Sequence, residues 1–410
     1  MRAGLVVTAV LGLAGCGGAS PSGFVDRPAS PGAARSADPP RLFVSPQGSD
    51  AGACTRARPC AGLARAFAVA EPGTVVEVGA GRYPEQVIAP RRASPDVRRV
   101  VVRPAPGARV DIERLVVEPG VAHLEVRDLR FTDGWLAGAS DDGPPAEDLR
   151  FVRTLGSRFS IENARRVRVL GGSYGPSVDD TSQIKVANPG APGAPSDILI
   201  EGVRFHDFTR SSDDVHTECL QVYAGRRVTV RGNRFDTCDG TGDLALTTLS
   251  STRLRDVLVE NNWFGGRGDA YFSAQLDESV EGLTFRYNSA LKPVIFTACS
   301  KARCGSARVR ANVMPFSDGL CSDRATYAYN VLTGGRCSAQ DLQVAGLGFA
   351  APQSLDLHLR PSSPAVCRGD PGQAPARDID GARRLPTRRA DAGADQVAGR
   401  WARSPDCRRR

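Results

Sequence analysis

After its opening residues, the 410-residue sequence has no apolar run long enough to cross a membrane as a helix. Lysine is nearly absent: Lys185, Lys292 and Lys301 are the only three, so arginine carries the positive charge. No CxxC pair occurs, which argues against zinc ribbons and fingers. A Gly-rich phosphate loop, a Ser nucleophile elbow and an HExxH motif are also missing, and with them the commonest signatures of P-loop, α/β-hydrolase and zincin chemistry. Sustained helical periodicity is lacking after about residue 97, which excludes bundles and helical solenoids there.

What is present is an ordinary globular composition, 41% hydrophobic and 24% charged, enough for one large domain or two smaller ones. The formal net charge is +8. No single run concentrates it, so the arginine bias of a GC-rich genome is the first explanation and polyanion binding the second; nucleic acid is not expected as a partner. The N-terminus, MRAGLVVTAVLGLAGCGG, has an early arginine and an apolar stretch from Leu5 to Leu13, which reads as a secretion signal. Its ending, Leu13-Ala14-Gly15-Cys16, resembles the lipobox of bacterial lipoproteins. That resemblance implies export, lipidation at Cys16 and attachment to the outer face of the cell membrane through the lipid alone. Residues 17–40 are Gly-, Ala-, Ser- and Pro-rich and are expected to form an extended tether.

Removing Cys16 leaves ten cysteines, which fall into sequence neighbours: Cys54 with Cys60, Cys219 with Cys238, Cys299 with Cys304, Cys321 with Cys337, and Cys367 with Cys407. In an exported, loop-rich chain these are candidates for short disulfide staples, although proximity does not fix connectivity.

Within 41–96, Leu63, Ala66, Phe67 and Ala70 recur at helical spacing, and the β run Thr74–Val78 follows. From about residue 97 the text repeats. The segments DILIEGVRF (197–205), RVTVRGNRF (227–235) and DVLVENNWF (256–264) align, and their closing phenylalanines lie 30 and 29 residues apart. A period of that size means a solenoid, and alternating Val, Ile and Thr make it one of strands, about three short ones per coil. At a rise of about 4.8 Å per coil, nine or ten coils give a rod of about 45 Å. Asn233, Asn262, Asn288, Asn312 and Asn330 share one register of the repeat, which predicts a ladder of stacked amides inside a turn.

The opening FVSPQGSD…C…AFAVAEPGTVVEVGAGRYPE resembles the N-terminal cap and first coil of exported proteins of the pectate-lyase-like superfamily. The closing AVCRGDPGQAPARDIDGARRLPTRRADAGADQ is similar to the end of many bacterial members. The resemblance implies an all-β, single-chain right-handed parallel β-helix. Its coils would occupy 97–366, with 41–96 as the cap, a short helix covering the open end, and 367–410 as a closing segment with a basic tail. It is specific for fold and poor for activity, because the superfamily contains lyases, hydrolases, epimerases and non-enzymatic proteins. A monomer with a lateral groove for extracellular polysaccharide is the expectation.

Three neighbouring coils carry polar clusters: SSDDVHTECLQV (211–222), CDGTGDLALTT (238–248) and GGRGDAYFSAQL (265–276). Asp213, Asp214, His216, Glu218, Asp239, Asp243 and Asp269 are expected along one edge, and Lys185 on the preceding coil is expected to join them. Cleavage of a uronate polymer by β-elimination needs the sugar carboxylate neutralised and the C5 proton removed. Calcium on Asp213, Asp214 and Asp243 would serve the first need, Lys185 or Arg210 the second, with His216 assisting. A glycoside hydrolase would instead use two carboxylates, for which Asp214 and Asp243 are a pair. The alternative for all of them is structural: aspartates capping turns, His216 as a wall residue, Glu218 paired with an arginine, in a non-catalytic cell-surface module that binds glycan or serves a structural role in contact with a partner. The polygalacturonase signatures NTD, GHG and RIK are absent as a set, as are the histidine and arginine motifs of the best-known pectate lyases, so no specific activity is carried over.

Overall fold

Hydrophobic alternation with a period of two, broken by a bend every few residues, winds the chain into coils rather than a flat sheet. The computed structural model describes residues 38–92, 95–138, 143–187, 194–248, 252–266, 270–299, 304–370, 372–384 and 390–397. Among them the strands stack into three long parallel walls. The first wall has twelve strands, from Arg41–Val44 to Ala325–Ala328, and the second also twelve, from Gly81–Tyr83 to Leu342–Val344. The third has nine, from Gln86–Ile88 to Val294–Thr297. A short strip, Ser177–Val178, Phe208–Thr209 and Cys238–Asp239, is inserted between the second and third walls. The fold is a parallel β-helix. With twelve strands in a wall it exceeds the expected nine or ten coils, because the cap region itself supplies the first two strands of the first wall, Arg41–Val44 and Val75–Val78.

The bend from the first wall to the second is the same in coil after coil. Asp128, Arg153, Gly171, Gly202, Gly232, Asn261, Tyr287, Ala311 and Tyr329 all take a positive φ, between 50° and 67°. Glycine adopts this left-handed conformation freely and other residues at a cost of roughly 1 kcal/mol. The residue that follows the bend turns inward, and from Asn233 onward it is asparagine. The predicted ladder is there: the Nδ2 of Asn233, Asn262, Asn288 and Asn312 each donate to the Oδ1 of the next asparagine at 2.9–3.1 Å. Asn330 donates in turn to Asp341 Oδ1 at 2.9 Å, where the run ends. Inside, Phe205, Phe235 and Phe264 stack at centroid separations of 4.8 and 4.9 Å, so the closing phenylalanines of the repeat form one column of the core.

The N-terminal end is covered by the helix Leu63–Val69, whose Leu63, Ala66 and Phe67 are buried. Among the described residues no helix is long and apolar enough to cross a membrane. Four of the expected disulfides are present, Cys54–Cys60, Cys219–Cys238, Cys299–Cys304 and Cys321–Cys337. Cys16 and Cys407 lie outside the described residues, as does Asp269.

At the other end an antiparallel hairpin, Phe349–Ala351 with Asp356–Leu359, and the segment around 390–397 cover the outer face of the second wall. Trp263, Val313 and Val331 are buried there against Phe349, Leu357, Leu359, Ala392 and Ala394. Arg384, itself buried, donates to the carbonyls of Asp391, Gly393 and Asp395 and to Asn261 Oδ1.

Burial pushes Asp391 up to about 6, against backbone hydrogen bonds from Cys367 and Val397 that favour its charged form. Asp378 and Asp395 are raised by burial too, and His358 is raised by carboxylate partners Asp380 and Asp356 that outweigh its burial. A group with a raised folded pKa contributes stability below its unfolded pKa and loses it as pH climbs through the folded one. Asp356 is lowered and acts oppositely, below pH 4. Attachment of this segment is therefore expected to weaken by about 3 kcal/mol between pH 4 and 6 from Asp391 alone. Hydrogen-exchange protection of the Cys367 and Val397 amides, corrected for intrinsic rates, measures it, and protection that is flat or rising over that interval contradicts it.

Candidate functional site

The third wall presents two rows of side chains to the outside because its inward positions are aliphatic. Ile161, Ile184, Val222, Leu246 and Leu276 are in register and buried. The residue after each faces outward on the adjoining coil: Glu162, Lys185, Tyr223, Thr247 and Asp277. One position before the aliphatic residue lies a second row, Ser160, Gln183, Gln221, Ala245 and Gln275. Neighbours in a row are one coil apart, about 4.8 Å.

These rows are tied together. Ser160 Oγ donates to Glu162 Oε1 at 3.1 Å, and Lys185 Nζ lies 3.7 Å from the same oxygen. Gln183 Nε2 donates to Gln221 Oε1 at 3.1 Å, and the Tyr223 hydroxyl donates to that oxygen at 2.5 Å. Gln221 Nε2 in turn donates to Glu218 Oε2. Glu218 is 4% exposed, and burial raises its pKa despite the Gln221 hydrogen bond and the nearby His216. Burial, and then the charge of Glu218, push Tyr223 up to about 12, so its phenol keeps its proton across the neutral range. The result is a lysine and a protonated phenol at adjacent positions of one row.

The sequence-predicted residues are distributed differently. Lys185 is at the centre of this face. Asp213, Asp214 and His216 lie exposed on the segment leading into the strand Glu218–Val222, Asp213 being 92% exposed. Arg210, 8% exposed, is held by Asp213 Oδ1 at 3.0 Å and lies over the Tyr271 ring at 5.3 Å, bracing two neighbouring segments. Asp239 is exposed. Glu218 bonds a glutamine where an arginine was the expected structural partner. Asp243 is fully buried, and neither carboxylate oxygen accepts a well-formed hydrogen bond from the described residues. Burial drives its pKa well above the carboxylate range, and the Gly266 N–H, the Ser273 hydroxyl and Lys292 offset this only in part. Cys219–Cys238 joins successive coils, as a staple should.

The calcium set does not assemble. Among the described residues the one group of three or more ligands with donor atoms within 4.8 Å is His358, Asp380 and Asp395. That group is already satisfied: the imidazole bridges Asp356 and Asp380, Arg234 pairs with Asp380, and the Leu359 N–H binds Asp395. Asp213 and Asp214 are exposed to solvent whereas Asp243 lies in the interior.

Glu162, Gln183, Gln221 and Tyr223 were not singled out from the sequence. Their signal, the residue beside each inward aliphatic of the third wall, emerges only once strands separated by segments of unequal length are aligned.

No family model matches the chain, and no curated protein matches it. Among solved structures, the chain is similar to XylC in its complex with xylose at 10% identity and a TM-score of 0.49, covering 76% of this chain and 87% of that one. It is similar to pectate lyase Pel9A at 11% and 0.49, covering 87% and 96%, and to a rhamnogalacturonan lyase at 12% and 0.43, covering 76% and 90%. At such identities the likeness concerns the course of the chain alone.

Proposed function

We propose that the protein engages extracellular polysaccharide along the outward face of the third wall and cleaves a uronate-containing chain there by β-elimination. The observation that carries this reading is the placement of Lys185 beside Tyr223 on adjoining coils, within a continuous polar row. Lys185 Nζ, acting as the base, takes the C5 proton of the uronate, and that C–H electron pair forms the C4–C5 double bond. The C4–O4 bond breaks, and the leaving oxygen takes the proton of the Tyr223 hydroxyl, which water restores through exchange with the Lys185 ammonium. Gln183, with one amide N–H not used by Gln221, is suited to hold the sugar carboxylate. Glu218 and Gln221 position the phenol from below.

A second reading, a surface module that binds glycan without cleaving it, is favoured by the exposed Asp213 and Asp214 and the interior Asp243, which do not form one cleft. The two separate in one assay. The purified chain is incubated with pectate, alginate and glycosaminoglycans, with and without calcium, while the ultraviolet absorbance of unsaturated uronate ends is followed. Elimination predicts a rise on one polymer that disappears in Lys185→Ala. No rise on any polymer, with reducing ends also unchanged, leaves the binding module.

A further inference from the structure

We propose that the outer face of the second wall, in the first half of the rod, is a separate binding groove for an acidic oligosaccharide lying along the rod axis. Two clefts of about 530 and 430 Å³ lie end to end on this face and share Arg130 and Thr132 as lining residues. The outward residues of six successive strands are in register along this face: Arg82, Asp111, Arg130, Leu155 and Ser173, which line the clefts, and then Arg204, which is held by Asp236. One coil advances by about 4.8 Å, comparable to one sugar ring of an extended chain, so six strands offer about six ring positions.

The larger cleft sets three arginines, Arg82, Arg109 and Arg130, against two carboxylates, Asp111 and Glu113, an excess of positive charge that favours an anionic ligand. Arg82 is exposed and makes no hydrogen bond or ion pair among the described residues. Arg109 and Arg130 flank Asp111, their Nε atoms 3.3 and 3.8 Å from its two oxygens, which leaves the terminal guanidinium nitrogens of both exposed arginines for a ligand. Guanidinium groups bind carboxylates through paired N–H donors in a fixed plane, a better match to uronates than to neutral sugars. Leu155, 44% exposed in mid-row, offers a surface on which a pyranose ring can rest.

The groove also has a structural end. Past Arg204 the same row continues as Arg234, which pairs with Asp380 at 2.7 Å and lies over the Trp263 ring at 4.4 Å. From Trp263 onward the row is apolar but for Ser289, whose Oγ accepts from the Ala394 N–H, and it is covered by the C-terminal segment. The chain thus covers the half of the wall that is apolar and leaves open the half that carries arginine. The clefts lie on a different wall from Lys185 and Tyr223, so this groove holds polymer without taking part in bond cleavage.

The proposal shares with the previous one only the class of ligand. The test uses the full chain and size-graded oligogalacturonates, with cello-oligosaccharides as neutral controls, read by calorimetry. The triple variant Arg82→Gln, Arg109→Gln, Arg130→Gln is expected to bind the hexamer about tenfold more weakly, with its unfolding midpoint and its release of unsaturated ends from polymer at saturation unchanged. Leu155→Asp, which leaves the arginines in place, is expected to weaken binding too. Lys185→Ala, conversely, removes release and leaves hexamer affinity intact. Hexamer affinity that is unchanged in the triple variant, or equal affinity for neutral and acidic hexamers, overturns the groove. If no unsaturated ends are ever released, the elimination reading fails while the hexamer measurement still decides this one.

Discussion

Asn262→Ala is expected to destabilise the protein by about 3–5 kcal/mol, far more than the usual cost of trimming one polar side chain. The reason is the number of groups that lose partners. Asn262 Oδ1 accepts from both the backbone N–H and the Nδ2 of Asn233, and its own Nδ2 donates to the Val230 carbonyl and to Asn288 Oδ1. Asn233, Asn262 and Asn288 are all buried, so water does not replace what is lost, and each orphaned donor costs roughly 1–3 kcal/mol. Because each coil contacts only its neighbours, the loss should be local. Hydrogen exchange at the Asn233 amide, which loses its acceptor, should accelerate strongly, while the coils near Trp135 keep their protection. Asp341→Asn is the contrast: a single amide oxygen still accepts from Asn330, and only the bond from the Ser338 N–H to the other oxygen is lost, so the cost should stay near 1 kcal/mol. Equal costs for the two variants would show that the ladder is an ornament of the turn and not a support.

The second large effect is on turnover. Lys185→Ala and Tyr223→Phe are each expected to lower kcat by about 10²–10⁴ with little change in KM, the range for removing a positioned acid or base. The two roles separate by substrate. A uronide with a good leaving group at C4 needs no proton from the phenol, so it should restore most of the rate in Tyr223→Phe and none in Lys185→Ala. With the phenol near 12, an alkaline fall in rate below pH 10 is not to be assigned to Tyr223. A Tyr223→Phe enzyme of full activity on natural polymer would remove the residue from the mechanism, and a uniform rise in KM in both variants would make them binding residues only.

The fold was legible because its signals are local and repeated. Phe205, Phe235 and Phe264 recur at nearly constant spacing, and the asparagines mark one corner, so alignment of a few segments predicts both the column of rings and the ladder. The cysteine neighbours were legible because a staple within one loop or between adjoining coils is short in sequence. The site was not. Acidic residues cluster in SSDDVHTECLQV because an exposed segment tolerates them, and the structure leaves Asp213 and Asp214 in water. Asp243 occupies the opposite situation, in a strand whose every residue is buried, where its neighbours from other coils decide its charge. Lys185 was legible because it lies on the coil preceding the acidic cluster, whereas Tyr223 and Gln221 look like ordinary strand residues until the third wall is assembled.

The asparagine ladder has a further electrostatic consequence. Every amide in it points the same way, oxygen toward the N-terminal end of the rod and nitrogen toward the C-terminal end. Five aligned side-chain dipoles add, as peptide dipoles add along a helix, so the C-terminal end of the stack carries partial positive charge. There the last donor meets a carboxylate, Asp341, and at the other end the first oxygen meets the backbone N–H of Val203. The buried stack thus behaves as a side-chain macrodipole with a counter-ion at its positive pole, and its polarity runs along the axis of the rod.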